Sequence, residues 1–131
     1  MSNKILIVDD DEMILMCFER VLGRRFNIET ALGSKRGLEL VTSGGPYAVV
    51  LSDLRMPGIS GMDLVARAKA LSRETVCILL SGNADIEETK GAVRSGIVFR
   101  LVEKPCPPDE LIQILEEALA LNKQRLQSLP I

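Results

Sequence analysis

The sequence contains no histidine. Within this chain that excludes imidazole acid–base catalysis, histidine-ligated zinc and any serine–histidine–aspartate triad. Chemistry here must rest on carboxylates, hydroxyls and lysines. Cysteine is scarce: Cys17, Cys77 and Cys106 are scattered and form no C-x-x-C pair. Each lies in or beside an apolar run, so they read as buried free thiols of a reducing cytoplasm rather than as a disulfide framework or a redox pair. No apolar run approaches the roughly 20 residues that cross a bilayer, and Met1–Lys4 opens no signal peptide. Positive charge is not in excess either. The net charge of −2 argues against a nucleic-acid binder that works by bulk charge.

What remains is an ordinary globular composition, 47% apolar and 26% charged over 131 residues. That is enough chain for one domain with its own core and too apolar for a disordered segment.

Apolar runs and turn signals alternate along the chain. Lys4–Val8 reads as a buried strand that stops at acids, and Glu12–Leu22 as a helix with Ile14, Cys17, Phe18, Val21 and Leu22 inward and Gly23 as its stop. Phe26–Thr30 alternates like a half-exposed strand. Ser34 is suited to cap a helix running to about Val41, and Gly44-Gly45-Pro46 breaks the chain after it. Tyr47–Leu51 is a further apolar strand. Pro57-Gly58 and Gly61 mark a loop before a helix over Met62–Leu71, with Leu64, Val65, Ala68 and Leu71 on one side. Val76–Leu80 is a strand ending at Ser81-Gly82, Asp85–Arg94 a helix stopped by Gly96, and Ile97–Val102 a strand ending at Glu103-Lys104-Pro105. Pro107-Pro108-Asp109 opens the last helix, since proline suits a first turn. Five βα units with strands apolar on both faces predict an α/β domain, a doubly wound parallel sheet with helices on each side.

Ligands of such sheets bind beyond the carboxyl ends of the strands, where the strand order reverses. The first strand is followed by Asp9, Asp10, Asp11 and Glu12, the third by Asp53, the fourth by Ser81 and Gly82, and the fifth by Lys104 and Pro105. With the first and third strands adjacent, Asp9, Asp10 and Asp53 crowd one crevice. Three carboxylates repel one another unless a cation is present, and Lys104 supplies a single charge. A divalent ion resolves the rest, and Mg²⁺, which binds through few carboxylates plus waters and a phosphate oxygen, suits the site. Taken singly, each residue has a plainer reading: Asp11 and Glu12 as acids at a helix start, Asp53 as a strand-end cap, Ser81 as a helix cap, Lys104 as a surface lysine. Their coincidence at the correct strand ends favours a site.

The set Val8-Asp9-Asp10-Asp11, Ser52-Asp53-Leu54-Arg55-Met56-Pro57-Gly58, Leu80-Ser81-Gly82 and Glu103-Lys104-Pro105 resembles the receiver domain of bacterial two-component response regulators, over about Lys4 to Leu119. The resemblance implies a flavodoxin-like fold of five strands in the order 2-1-3-4-5 with five helices. It implies Asp53 as phosphoacceptor, taking a phosphoryl group from a phosphohistidine on a sensor histidine kinase or phosphotransfer protein. It implies Mg²⁺ (or Mn²⁺) on Asp10 and Asp53, on Asp9 through a water, and on the main-chain carbonyl of Arg55. Ser81 and Lys104 would each meet a phosphoryl oxygen, Gly82 would keep space beside the group, and the Lys104–Pro105 bond would be cis. No enzyme activity beyond acceptance and self-dephosphorylation is implied within the chain, nor any direct nucleic-acid or membrane binding.

In relatives, an aromatic residue three positions before the lysine swings inward when the face of the fourth helix, fifth strand and fifth helix repacks. Here that position is Leu101, with Phe99 two residues earlier and Arg100 where many DNA-binding regulators carry an acid used in dimer salt bridges. A narrower likeness, over Leu80-Ser81-Gly82-Asn83-Ala84-Asp85 and Val98 to Pro105, is to receivers attached to HD-GYP cyclic-di-GMP phosphodiesterase domains. Receivers of hybrid kinases look similar too, and the plainer reading of Arg100 is a sheet-edge cap.

Two other readings compete with the phospho-switch. A phosphorylation-independent docking module would bind no Mg²⁺. An aspartyl-nucleophile phosphohydrolase would use the D-x-D spacing of Asp9 and Asp11, but the usual cap domain is missing. The expected domain is 1–121. The stripe of Leu111, Ile112, Ile114, Leu115, Ala118, Leu119 and Leu121 thins at Asn122 and Arg125. Residues 122–131 are therefore expected to be a solvated helix end, a connector to a downstream output domain, or a homodimerising helix.

Overall fold

The computed structural model describes residues 3–82 and 86–129, with the main chain alone at 86–89. Asn83, Ala84, Asp85 and Pro130 lie outside the described residues, and with them the expected start of the fourth helix and part of the HD-GYP-like stretch. The elements alternate throughout: β1 (Lys4–Asp9), α1 (Glu12–Leu22), β2 (Asn27–Leu32), α2 (Gly33–Ser43), β3 (Val49–Asp53), α3 (Gly61–Leu71), β4 (Val76–Ser81), α4 (Ile86–Arg94), β5 (Arg100–Glu103) and α5 (Pro108–Gln127). All strand pairs are parallel, in the order β2-β1-β3-β4-β5. This is the expected doubly wound sheet.

The pleat divides the core between two layers. Ile5, Ile7, Val49, Leu51, Ile78, Leu80 and Val102 face α1 and α5. Leu6, Val8, Val50, Cys77 and Leu79 face the other side, covered by α2 and α3 with Ala92 of α4. Strands buried on both faces need apolar residues at every position, which is why β1, β3 and β4 read as unbroken runs.

Element boundaries move where a local run meets a tertiary partner. Phe26 belongs to the turn out of α1, because its N–H donates to the Leu22 carbonyl at 3.0 Å. Ile97 and Val98 both donate to Ala92 O (3.1 and 3.2 Å) and so close α4 rather than open β5. β3 starts later than expected and runs on to Asp53, since Ser52 pairs with Val8 and Asp53 with Leu80.

Three helix faces also differ. In α1 the buried residues are Leu15 and Leu22, while Cys17 and Val21 are exposed; Cys17 is thus not the buried thiol expected. Leu71 is 54% exposed, and α3 buries Gly61, Leu64, Val65 and Ala68 instead. Ser34 does not cap α2. Leu32 holds the capping position with no side-chain bond, and the Ser34 hydroxyl reaches the loop after β3.

The last helix runs unbroken for 20 residues. Asn122, read from the sequence as the point where the apolar stripe thins, is only 5% exposed. Its amide donates to Glu74 O at 2.9 Å, and Arg125 donates to Thr75 O at 3.2 Å. Both side chains fasten the helix to the turn between α3 and β4.

Candidate functional site

The carboxyl ends of β1, β3, β4 and β5 are held in step by main-chain bonds. Leu54 N donates to Leu80 O and Lys104 N to Ser81 O, both at 2.8 Å. This continues the ladder one residue past the strands and places Asp9, Asp53, Ser81 and Lys104 side by side. One carboxylate oxygen from each of Asp9, Asp10 and Asp53 lies within 4.8 Å of the others. Asp9 and Asp53 are buried and Asp10 is exposed, so the group opens to solvent on the Asp10 side. Asp11 stands apart from it. Its side chain accepts from Met13 N at 2.9 Å and caps α1, as expected of an acid at a helix start.

Lys104 answers the negative charge. Its Nζ lies 3.0 Å from Asp53 Oδ1 and 3.9 Å from Asp9 Oδ2. One ammonium against three carboxylates leaves an excess, and Asp9 carries the consequence. Its carboxyl is pushed up to about 6, chiefly by burial. The Asp11 N–H, which donates to Asp9 Oδ1 at 3.0 Å, and Lys104 work against the rise, while Asp53 and Asp10 add to it. Asp9 Oδ2 and Ser81 Oγ are buried yet have no hydrogen-bond partner among the described residues. Buried polar atoms are normally paired, so two orphans beside one acidic crevice are a specific feature.

The arrangement fits a hard divalent cation by donor chemistry: closely spaced carboxylate oxygens, one of them without a hydrogen bond among the described residues, with open access at Asp10. Gly82 is exposed, and a Cβ added there would meet nothing within 4 Å among the described residues. Arg55 follows Leu54 in the loop, its side chain exposed. The Lys104–Pro105 bond is cis. Leu101 is half-buried against the α2/α3 layer, whereas Arg100 turns to the other side, 3.3 Å from Glu117 and 4.9 Å from the Phe99 ring. Arg100 thus fastens the edge strand to α5. Cys106 donates to Pro107 O, and burial pushes its thiol up, opposite to the shift a reactive thiolate needs.

Two residues that shape the site were not legible as such. Gly61 opens α3 directly behind β3, where an added Cβ would run into the carbonyl oxygen of Asp53. Ser34 donates to Pro57 O at 2.8 Å and accepts from Ile59 N at 3.3 Å. The sequence marks Gly61 only as a loop residue and Ser34 only as a cap.

Comparison with known proteins gives a consistent picture. The family model described as the response regulator receiver domain matches residues 5–116. The C4-dicarboxylate transport transcriptional regulatory protein DctD of Pseudomonas aeruginosa is 29% identical over 127 residues, 97% of this chain but 27% of DctD. The uncharacterized transcriptional regulatory protein YesN of Bacillus subtilis is 32% identical over 93% of this chain and 34% of its own length. The chain thus spans about a quarter to a third of these relatives. Among solved structures, the signal receiver domain of an HD domain-containing protein from Pseudomonas fluorescens Pf-5 superposes with a TM-score of 0.87 at 27% identity, covering 98% of this chain and 94% of that one.

Proposed function

The chain belongs to the response regulator receiver domain family, and on that premise we propose that Asp53 is its phosphoacceptor, with Ser81 and Lys104 as the groups that receive the phosphoryl oxygens. The observation that carries this is the contact of Asp53 Oδ1 with Lys104 Nζ at 3.0 Å, beside two further carboxylates and the Ser81 hydroxyl, which has no hydrogen-bond partner among the described residues.

In the proposed reaction an Asp53 carboxylate oxygen attacks the phosphorus of a phosphohistidine on a partner kinase or phosphotransfer protein. The P–N bond breaks as the O–P bond forms, and the leaving imidazole takes a proton from solvent. The absent histidine of this chain fits that division, since the imidazole belongs to the donor. Such a transfer asks the protein mainly for alignment and for positive charge near the equatorial oxygens. The Lys104 ammonium, freed from Asp53, meets one of these oxygens and Ser81 Oγ donates to another. Asp9, Asp10 and Asp53, with the Arg55 carbonyl, are the residues that would hold Mg²⁺ (or Mn²⁺), whose chemistry when bound is to neutralise charge on the transferring group. Gly82, whose Cβ direction is open, leaves room for the phosphoryl group.

The readout follows from two-state reasoning. Ser81 and Lys104 move toward the new group, and the face built by α4, β5 and α5 repacks. Leu101, lying against the α2/α3 layer, supplies the apolar side chain that follows in place of an aromatic ring. Output lies outside residues 1–121, in a joined domain or a separate partner. Similarity to the HD-attached receiver supports the narrower likeness seen in the sequence, while the transcriptional regulators match at comparable identity. The receiver is a module that serves several outputs. Among the described residues no helix is long and apolar enough to cross a membrane, and a cytoplasmic location fits.

The test is intact-mass measurement after incubation with acetyl phosphate and Mg²⁺. One phosphoryl group is expected on the wild-type chain and none on Asp53→Asn. An unchanged mass in a folded wild-type sample would overturn the reading.

A further inference from the structure

The loop between β3 and α3 carries Arg55, and its two ends are tied by Leu54 N to Leu80 O (2.8 Å) and Gly61 N to Leu54 O (2.9 Å). A third tie comes from another part of the chain. Ser34, in the first turn of α2, is 7% exposed, and its single hydroxyl spans the bend of the loop. It donates to Pro57 O at 2.8 Å and accepts from Ile59 N at 3.3 Å. Between those residues Gly58 adopts φ +89°, and a Cβ at Gly58 would lie 2.5 Å from Ser34 Oγ. The bend therefore closes around the hydroxyl, and glycine is required there twice, by conformation and by space.

We infer that Ser34 is a positioning residue for the acceptor loop: its hydroxyl sets the path of the chain from Asp53 to Gly58 and so the course of the segment that carries the Arg55 carbonyl, the main-chain group proposed to join the three carboxylates in holding Mg²⁺. The inference rests on the proposed role of that site in holding Mg²⁺. Its physical basis is that the groups behind metal ligands fix the ligands' orientation, and losing them typically costs about 10- to 100-fold in metal affinity. With alanine at 34, Pro57 O and Ile59 N lose their shared partner, the bend is no longer pinned to α2, and the carbonyl it orients gains freedom.

The experiment is a calorimetric Mg²⁺ titration of the whole chain, paired with the rate of phosphoryl uptake from acetyl phosphate at low and saturating Mg²⁺. Ser34→Ala is expected to weaken Mg²⁺ binding by about tenfold, to slow uptake at low Mg²⁺, and to recover the wild-type rate at saturation. Ser34→Thr, which keeps the hydroxyl, is expected to restore the affinity. Val41→Ala, which removes buried volume from α2 away from the loop, is expected to lower stability and leave Mg²⁺ affinity unchanged. A loss of stability alone would not reproduce the Ser34→Ala pattern. If Ser34→Ala does not fold, Ser34→Cys, a weaker donor and acceptor of similar size, takes its place with the same expectation. Wild-type affinity in Ser34→Ala, or a loss matched by Val41→Ala, would overturn the positioning role while leaving Asp53 as acceptor. Absence of Mg²⁺ binding by the wild-type chain would overturn the reading of the site, and the positioning role with it.

Discussion

Lys104 Nζ sits 3.0 Å from Asp53 Oδ1 and 3.9 Å from Asp9 Oδ2, so one ammonium bridges the proposed acceptor carboxylate and its buried neighbour. On the proposed reading this pair precedes phosphoryl transfer, with the lysine aimed at the oxygens where new negative charge would arrive. Lys104→Met keeps the apolar stem and deletes the charge. Because the lysine is one-third exposed, solvent screens part of the loss. The metal-free protein is expected to lose about 1–2 kcal/mol, less than the 3–5 of a fully buried pair. Added Mg²⁺ should restore more stability to this variant than to the wild type, while phosphoryl uptake falls. Denaturant unfolding with and without Mg²⁺ checks the first expectation and intact mass the second.

Asp9 makes stability depend on pH in a predictable direction. Its carboxyl titrates at about 6 in the fold, against 3.8 ordinarily, mainly because burial opposes its charge. The folded state thus holds a proton that the unfolded chain releases. Its contribution is full below about pH 4, declines as pH rises toward 6, and is lost above that, an amount on the order of 2–3 kcal/mol. Asp9→Asn removes the titration. Metal-free Asp9→Asn should match the wild type near pH 4 and exceed its stability at about pH 8. Parallel pH profiles of the two proteins would contradict this.

Gly61 lets α3 begin against the main chain of Asp53. A methyl group there meets a carbonyl oxygen that belongs to the sheet and cannot swing aside. Gly61→Ala is expected to cost about 1–3 kcal/mol, as overpacking of a filled interior does, and to reduce phosphoryl uptake by moving Asp53. Gly91, where an added Cβ meets nothing within 4 Å, supplies the control: Gly91→Ala should leave both unchanged or raise stability slightly. Thermal unfolding and intact mass separate the two.

Asn122 is part of the fold through its amide. Asn122→Ala leaves the Glu74 carbonyl without this donor and should cost about 1–3 kcal/mol. Lys123→Ala, on the exposed side of the same turn, should fall within about 0.5 kcal/mol of wild type. Equal effects at the two positions would show that the last turns of α5 are not held to the α3–β4 turn.

The βα order was legible because buried parallel strands leave uninterrupted apolar runs, and each run here stops at the polar residues of one rim. Asp9, Asp10, Asp53, Ser81 and Lys104 stood out together for the same reason: strand ends are visible in a sequence, and in this fold the strand ends meet. Less legible were helix faces with mixed apolar residues. Cys17 and Val21 have helical spacing relative to Ile14 and Phe18, but the path of α1 over the sheet buries Leu15 instead. Ser34 and Asn122 were hidden more deeply. A serine at a helix start and an asparagine near a helix end have plain local explanations. What distinguishes them is a partner 23 residues away in one case and 48 in the other.

The sequence by itself determined the class of fold, the residues at each strand end and the kind of chemistry they allow, because period, punctuation and residue type are properties of neighbouring positions. The tertiary structure alone decided how close the carboxylates stand, which of them is pushed toward neutrality, that the Ser81 hydroxyl has no hydrogen-bond partner among the described residues, and which distant side chains hold the loop and the last helix in place. Those depend on distance and on exclusion of water. Both arise only when segments far apart in the chain are packed against one another, where burial strengthens charge interactions and makes each unpaired polar atom costly.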